Sequence, residues 1–100
     1  MINHIVLFKL RDREDAAELV RRLDALESQI PEIRHLEAGA DVTESEHSFD
    51  VALVSRFGSV DDLNTYRDHP DHVNLVAWIG EVTTHRVAVD YESGEDLPAA

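Results

Sequence analysis

Histidine is the residue type with which this sequence could perform acid–base chemistry near neutral pH. His72 lies two residues after Pro70, and proline suits the first turn of a helix. The positive end of that helix disfavours a protonated imidazole, so His72 is expected to stay neutral and to accept a proton. The alternative is a capping turn in which the polar side chains around Pro70 bind backbone groups. The spacing leaves both interpretations open.

His4 and Tyr66 are two further polar side chains within otherwise apolar patterns. His4 shares one face of the first predicted strand with Val6 and Phe8. It is therefore expected to be hydrogen-bonded, either as a core histidine or as part of a pocket wall. Tyr66 precedes His72 by six residues, with a helix break between them. This spacing alone does not show that the two side chains meet.

A metal site is a weaker possibility. His69 and His72 could supply two ligands, but two-histidine sites on a helix usually use i, i+4 spacing or a glutamate partner. We therefore expect no metal and no cofactor. A third ligand would have to come from Asp68, Asp71, His35, His47 or His85.

The spacing of apolar residues predicts the elements that position these side chains. Residues 2–10 alternate with a period of two, as in a strand, and apolar residues recur at helical spacing from 16 to 30. A second helix is expected to begin after Ser59 and to break at His69-Pro70. Three further strand patterns span residues 33–42, 49–57 and 82–91. The second piece of the broken helix spans residues 70–80, and Gly80 can end it.

The order β-α-β-β-α-β is that of a ferredoxin-like α+β fold, with both helices on one face of a four-stranded antiparallel sheet. The strands, however, are apolar on both faces: Ile5 and Leu7 alternate with Val6 and Phe8. Two helices cover one face only, so the other would be an exposed apolar patch unless a second copy covers it. The sequence therefore predicts a face-to-face homodimer. The alternative is that loops or the tail of the same chain cover this face.

The composition limits the possible partners and the compartment. The 21 acidic and 9 basic residues give a formal net charge of −12, which would repel nucleic acid and anionic membrane surfaces. No apolar run reaches the roughly 20 residues needed to span a bilayer. No export signal is visible, and the chain has no cysteine. We expect a soluble, cytoplasmic domain over residues 1–92, followed by an acidic, disordered tail over 93–100.

Five short phrases occur in the order expected of one protein family. They are MINHIVLFKL at 1–10, IP at 30–31, SFDVAL at 48–53, YRDHPDH at 66–72 and VDYE at 89–92. Together they resemble the stress-responsive dimeric α/β-barrel (Dabb) family. The resemblance implies a ferredoxin-like protomer that pairs sheet to sheet into a dimeric α/β barrel. Many members of the family have no assigned activity and some are linked to stress responses, so the expected function is that of a stress-responsive homodimer of unassigned activity that binds a small apolar or keto-bearing molecule.

The resemblance also implies roles for particular residues. In the polyketide-cyclase branch of the family, a tyrosine and a histidine form a catalytic pair and a histidine of the first strand lines the pocket. The matching residues here are Tyr66, His72 and His4. A further pocket histidine of that branch is replaced here by Val51, so a more apolar pocket is expected. The residues of this chain that are predicted to bind the substrate in the pocket are Val51, Phe57 and Val76.

The alternative function is therefore a cofactor-independent, polyketide-cyclase-like enzyme. In an aldol-type ring closure, His72 would remove a proton beside a carbonyl, while Tyr66 would donate a hydrogen bond to the carbonyl or enolate oxygen. A haem-free monooxygenase, as found among other dimeric α/β barrels, is a third possibility that rests on fold analogy alone.

Overall fold

A four-stranded antiparallel sheet carries the helices on one of its faces. The computed structural model describes residues 1–94. The order β-α-β-β-α-β, with the second helix divided into two pieces, confirms the predicted ferredoxin-like α+β fold. The strands, in the spatial order β2-β3-β1-β4, are β1 (Ile2–Leu10), β2 (His35–Ala40), β3 (Val51–Phe57) and β4 (Thr83–Glu92). The helices are α1 (Ala16–Gln29), α2 (Val60–Asp68) and α3 (Pro70–Val82).

The core lies between the helices and one face of the sheet. Alternate residues of β1 are buried there, from Ile2 through His4 and Val6 to Leu10, and they stand opposite buried residues of β3. Burying each large aliphatic side chain contributes about 1.5–3 kcal/mol to stability. The helices complete this core with Leu19, Leu23 and Leu26 of α1, Leu63 and Tyr66 of α2, and Leu75 and Ile79 of α3.

Side-chain caps begin the 3₁₀ turn before α1 and the helix α2, whereas α1 itself has no side-chain cap. The Asp12 carboxylate accepts the backbone N–H of Glu14 and starts a short 3₁₀ turn before α1. The Ser59 hydroxyl oxygen accepts the N–H of Asp62 at the start of α2, as the sequence predicts. Gly80 does not end α3, because the helix continues for two more residues to Val82.

Strands β2 and β3 are shorter than predicted, and at the loop between them a buried carboxylate ends the strand pairing. The Asp50 side chain accepts the N–H of Leu10 at 2.8 Å, and Arg13 donates to it at 2.9 Å. Arg13 also donates to the backbone carbonyl of Asp41 at 3.0 Å. Since a buried charge must be paired, Asp50 belongs to this network and not to the strand. Strand β3 therefore begins at Val51, the residue after Asp50.

The end of the described chain is joined to its beginning. The Ser93 N–H donates to the Met1 carbonyl at 3.0 Å, and the Asn3 amide donates to the Ser93 hydroxyl at 3.2 Å. The last six residues of the predicted acidic tail, 95–100, lie outside the described residues. Within residues 1–94, no helix is both long and apolar enough to cross a bilayer.

The second face of the sheet, the outer face, is apolar and carries no helix among the described residues. It comprises the residues of β1, β3 and β4 that alternate with the core residues. Leu7 is 39% exposed, Val87 50%, Val89 55% and Tyr91 51%. Within residues 1–94, no loop covers these side chains, whereas most of the tail, which was the other part of the alternative, lies outside the described residues.

Candidate functional site

A cavity of about 340 Å³ lies between the sheet and the helices α2 and α3. Three polar side chains reach it: His4 from β1, Tyr66 from α2 and His72 from α3. Arg67 and Arg86 border it on the β4 side. The apolar part of its wall is formed mainly by Val6, Phe8, Leu53, Leu75, Val76 and Ile79.

The cavity opens toward β4 because the helices do not cover this edge strand. Arg86 and Ala88 stand opposite the core residues Phe8 and Val6 and therefore point to the helix side of the sheet. Both are nevertheless exposed, whereas Phe8 and Val6 are buried. A ligand could enter over this strand without a movement of the backbone.

The break between α2 and α3 brings Tyr66 and His72 together. His69 precedes a proline and has extended dihedrals (φ −62°, ψ 135°), as expected for this position. The chain therefore turns, and α3 begins at Pro70 with His72 in its first turn. The ring centroids of Tyr66 and His72 are consequently 4.4 Å apart, although the sequence spacing alone did not show that they meet.

His72 is held in a geometry that suits a base. Its Nδ1 lies 3.0 Å from the Arg67 carbonyl oxygen, which can only accept, so Nδ1 carries the proton and Nε2 presents a lone pair. Burial lowers the pKa of His72. The hydrogen bond to Arg67 opposes this shift, while the charges of His4, Arg67 and Arg86 add to it. The imidazole is therefore neutral at neutral pH.

Tyr66 is suited to donate a hydrogen bond. Its side chain is buried, and its ring packs 4.9 Å from that of Phe57, measured between centroids. Burial raises the pKa of Tyr66 to about 12, partly offset by the charge of Arg67. Its hydroxyl consequently keeps its proton at neutral pH and remains a donor.

His4 belongs to a charged network that closes one side of the cavity. Its Nδ1 donates to Asp90 Oδ1 at 2.5 Å, across the pairing of β1 with β4, and Arg67 donates to Asp90 Oδ2 at 2.7 Å. Burial alone would raise the pKa of Asp90. The hydrogen bonds and charges of His4 and Arg67 outweigh it and lower the pKa. Asp90 thus stays ionised and orients the side chains of His4 and Arg67.

The structure separates the predicted substrate-binding residues. Val76 lines the cavity, whereas Val51 and Phe57 are not among its lining residues, so a role of these two in substrate binding stays a prediction. Both are buried on β3, where Val51 stands opposite Phe8 and Phe57 packs against Tyr66. Sharing a face of the sheet with pocket residues does not place a side chain in the pocket.

Three charged residues of the site were not singled out from the sequence: Arg67, Arg86 and Asp90. Arg86 and Asp90 occupy the positions of β4 that alternate with the apolar Val87 and Val89. This regular alternation indicates that the charged side chains share the helix-facing side, and it could have suggested them. Arg67 directly follows Tyr66, but only the tertiary structure shows that it reaches Asp90.

The residues weighed as a metal site have other partners. His69 Nδ1 accepts the N–H of Asp71 at 3.1 Å and caps α3, and His72 donates to a backbone carbonyl. In the part of the chain that the structure describes, no three histidine or acidic side chains are grouped as metal ligands would be. The capping interpretation thus holds for His69, while His72 both bonds to backbone and faces the cavity.

The sequence matches the family model described as "Stress responsive A/B Barrel Domain" over residues 2–93. The chain belongs to this family. This A/B barrel domain is 36% identical to an uncharacterised protein of Streptomyces coelicolor, over 92% of the chain and 99% of that protein. It is 31% identical to a stress-response A/B barrel domain-containing protein of Arabidopsis thaliana. That alignment covers 100% of the chain but only 50% of the plant protein, so the domain spans half the length of that relative.

Solved structures agree with the fold of this A/B barrel domain. A dimeric protein of unknown function with a ferredoxin-like fold from Bacteroides fragilis superposes with a TM-score of 0.82 at 34% identity, covering 92% of this chain and 95% of that one. A hydroxynitrile lyase from Passiflora edulis superposes with a TM-score of 0.80 at 19% identity, covering 97% and 96%. At that identity the second likeness concerns the fold alone.

The protonation state of His72 can be measured by nitrogen-15 NMR. We expect the neutral Nδ1–H tautomer at pH 7 and a pKa below the ordinary histidine value, because burial disfavours the imidazolium. At a pH between the pKa of His72 in the folded protein and the ordinary histidine pKa, the unfolded chain then binds more protons than the folded one. Stability therefore falls as the pH decreases through this window.

A His72→Gln variant should show a weaker loss of stability on acidification in that window, since it lacks the titrating group. Urea denaturation at a series of pH values measures this. An Nε2–H tautomer, or a pKa of His72 at or above the ordinary value, would contradict the described site.

Proposed function

We propose that this A/B barrel domain acts as a homodimer and binds a small apolar or keto-bearing molecule in the cavity beneath α3. The observation that supports binding is the cavity itself. Its volume of about 340 Å³ suits a small ligand, and ligand sites typically combine apolar walls with a few converging polar groups. Here the polar groups are His4, Tyr66 and His72. A role in stress responses is proposed from the family description, and a cytoplasmic location remains a prediction.

The outer face of the sheet supports the homodimer. Its exposed apolar side chains, among them Leu7, Val87 and Val89, form a continuous surface of a kind that monomeric proteins rarely leave in water. A two-fold axis would bring the same patch of two copies together. The Bacteroides fragilis relative, 34% identical, is described as dimeric.

A charge placed on the outer face should dissociate the dimer. We expect the parent protein to have twice the chain mass of 11.3 kDa in light scattering at micromolar concentration. Val89→Glu should give the monomer mass, because it would bury an unpaired carboxylate in the interface. Val42→Glu is the matched control, since Val42 is 91% exposed in the β2–β3 loop. A parent mass of 11.3 kDa, or a dimer that survives Val89→Glu, would refute this arrangement.

Filling the cavity should weaken ligand binding. We expect 2-nonanone, a ketone with an apolar chain, to shift the NMR signals of His72, Tyr66 and Val76 on titration. Val76→Phe should weaken binding at least about tenfold, because the larger ring takes up space that the ligand needs. Val73→Phe is the control: Val73 is 52% exposed on the same helix and does not line the cavity. Equal affinities for the two variants, or no binding by the parent at millimolar ketone, would count against the proposal.

A second candidate function is enzymatic, and the pairing of Tyr66 with His72 favours it. His72 Nε2 would remove the proton from a carbon beside a carbonyl, and the C–H electron pair would form the enolate. Tyr66 would donate a hydrogen bond to the enolate oxygen. The enolate carbon would then attack a second carbonyl of the same molecule, and the imidazolium would return the proton to the new alkoxide. This aldol-type ring closure needs no cofactor.

Hydrogen exchange tests the proton-transfer step without requiring knowledge of the natural substrate. In D₂O, we expect the protein to exchange the protons beside the carbonyl of 2-nonanone, followed by proton NMR. His72→Gln and Tyr66→Phe should each slow the exchange about 10²-fold, whereas His47→Gln, at an exposed histidine of the β2–β3 loop, should not. Exchange by His72→Gln at the parent rate would exclude His72 as the base. A cyclisable poly-β-keto thioester, tested in the same variants, would report on the ring closure itself.

A further inference from the structure

The wall of the cavity differs in charge from the rest of the protein. The chain has 21 acidic residues and 9 basic ones, yet the residues that line the cavity within the described part of the chain include two arginines and no aspartate or glutamate. The carboxylate of Asp90, which belongs to the network at one side of the cavity, is bonded to His4 and Arg67. Arg86 places a positive charge at the exposed edge of the cavity.

The two arginines are not equivalent. Arg67 donates to Asp90 at 2.7 Å, and the other oxygen of Asp90 is bound by His4. The charge of Arg67 is therefore already compensated. Arg86 forms no ion pair with any carboxylate of residues 1–94, and its charge is close enough to act on His72. Its guanidinium can therefore pair with an anionic ligand.

Arg86 also lies where an anionic group would come to rest. It stands opposite Phe8 on the helix-facing side of β4 and is exposed at the open edge of the cavity. From there the wall continues inward as apolar side chains, including Phe8, Val76 and Ile79. A ligand that places its apolar part against these side chains would leave its head at the guanidinium, whose planar fork matches a carboxylate.

We infer that the ligand of this cavity is an amphipathic monocarboxylate, with its hydrocarbon part against α3 and its carboxylate paired with Arg86. This inference rests on the proposed function and deepens it by naming the class of ligand. Non-specific adsorption does not explain a carboxylate preference here, because the net charge of −12 repels anions elsewhere on the surface. The preference has to come from the local positive charge.

The test compares two ligands that share one hydrocarbon chain and differ in the head group. Nonanoate and 1-nonanol are titrated into the full-length protein at pH 7.5 and low salt, with NMR shifts of the cavity residues as the readout. We expect nonanoate to bind about tenfold more tightly than nonanol, in line with a charge-assisted hydrogen bond at a partly desolvated site. In Arg86→Gln this difference should disappear while the affinity for nonanol stays unchanged.

Arg34→Gln is the matched control, because it removes the same charge from an exposed position that does not line the cavity. It should keep the tenfold preference. If nonanol binds the parent as tightly as nonanoate does, or if Arg86→Gln keeps the preference, the inference is overturned while the proposed binding function stands. If neither compound binds at millimolar concentration, the proposed function fails and the inference fails with it.

Discussion

The helices of this protein cover only part of its four-stranded sheet. They pack on one face only, and on that face they leave the edge strand β4 exposed. Both main features of the surface follow from this limited coverage. The outer face keeps an apolar surface suited to a second copy, and the uncovered part of the inner face leaves a cavity that opens over β4.

The division of the second helix is the local feature that equips the cavity. Because His69 precedes a proline, it takes an extended conformation, caps α3 and turns the chain. Tyr66 before the turn and His72 after it then face each other. The carbonyl of Arg67, close to the break, accepts a hydrogen bond from Nδ1 of His72. The other ring nitrogen, Nε2, therefore carries the lone pair. A continuous helix would not place these two side chains in this relation.

Much of the fold could be predicted from the sequence because it depends on periodicity. The alternation of residues 2–10 and the helical spacing of 16–30 arise from burial of one face, and the structure keeps both elements within a residue or so. The limits of β2 and β3 were less accurate, because the Asp50 network interrupts a strand-like run. Ser59 and Pro70 marked helix starts correctly, since capping chemistry is local.

The candidate site could be predicted only in part. The resemblance pointed to His4, Tyr66 and His72, and these three side chains do reach one cavity. Which apolar side chains line it depends on where the helices lie over the sheet, and the period of two alone could not show that Val76 lines this cavity while Val51 and Phe57 do not. The ion pairs of Asp90 depend on the pairing register of an edge strand, which the period of two alone does not specify.

A crystal structure of the untreated protein tests the central claim most directly, namely that limited helix coverage leaves both an open cavity and a self-complementary outer face. The account predicts two copies packed through Val87 and Val89, with an open cavity bordered by Tyr66, His72 and Arg86. Side chains of α3 collapsed into that space, or an outer face turned to solvent, would contradict it.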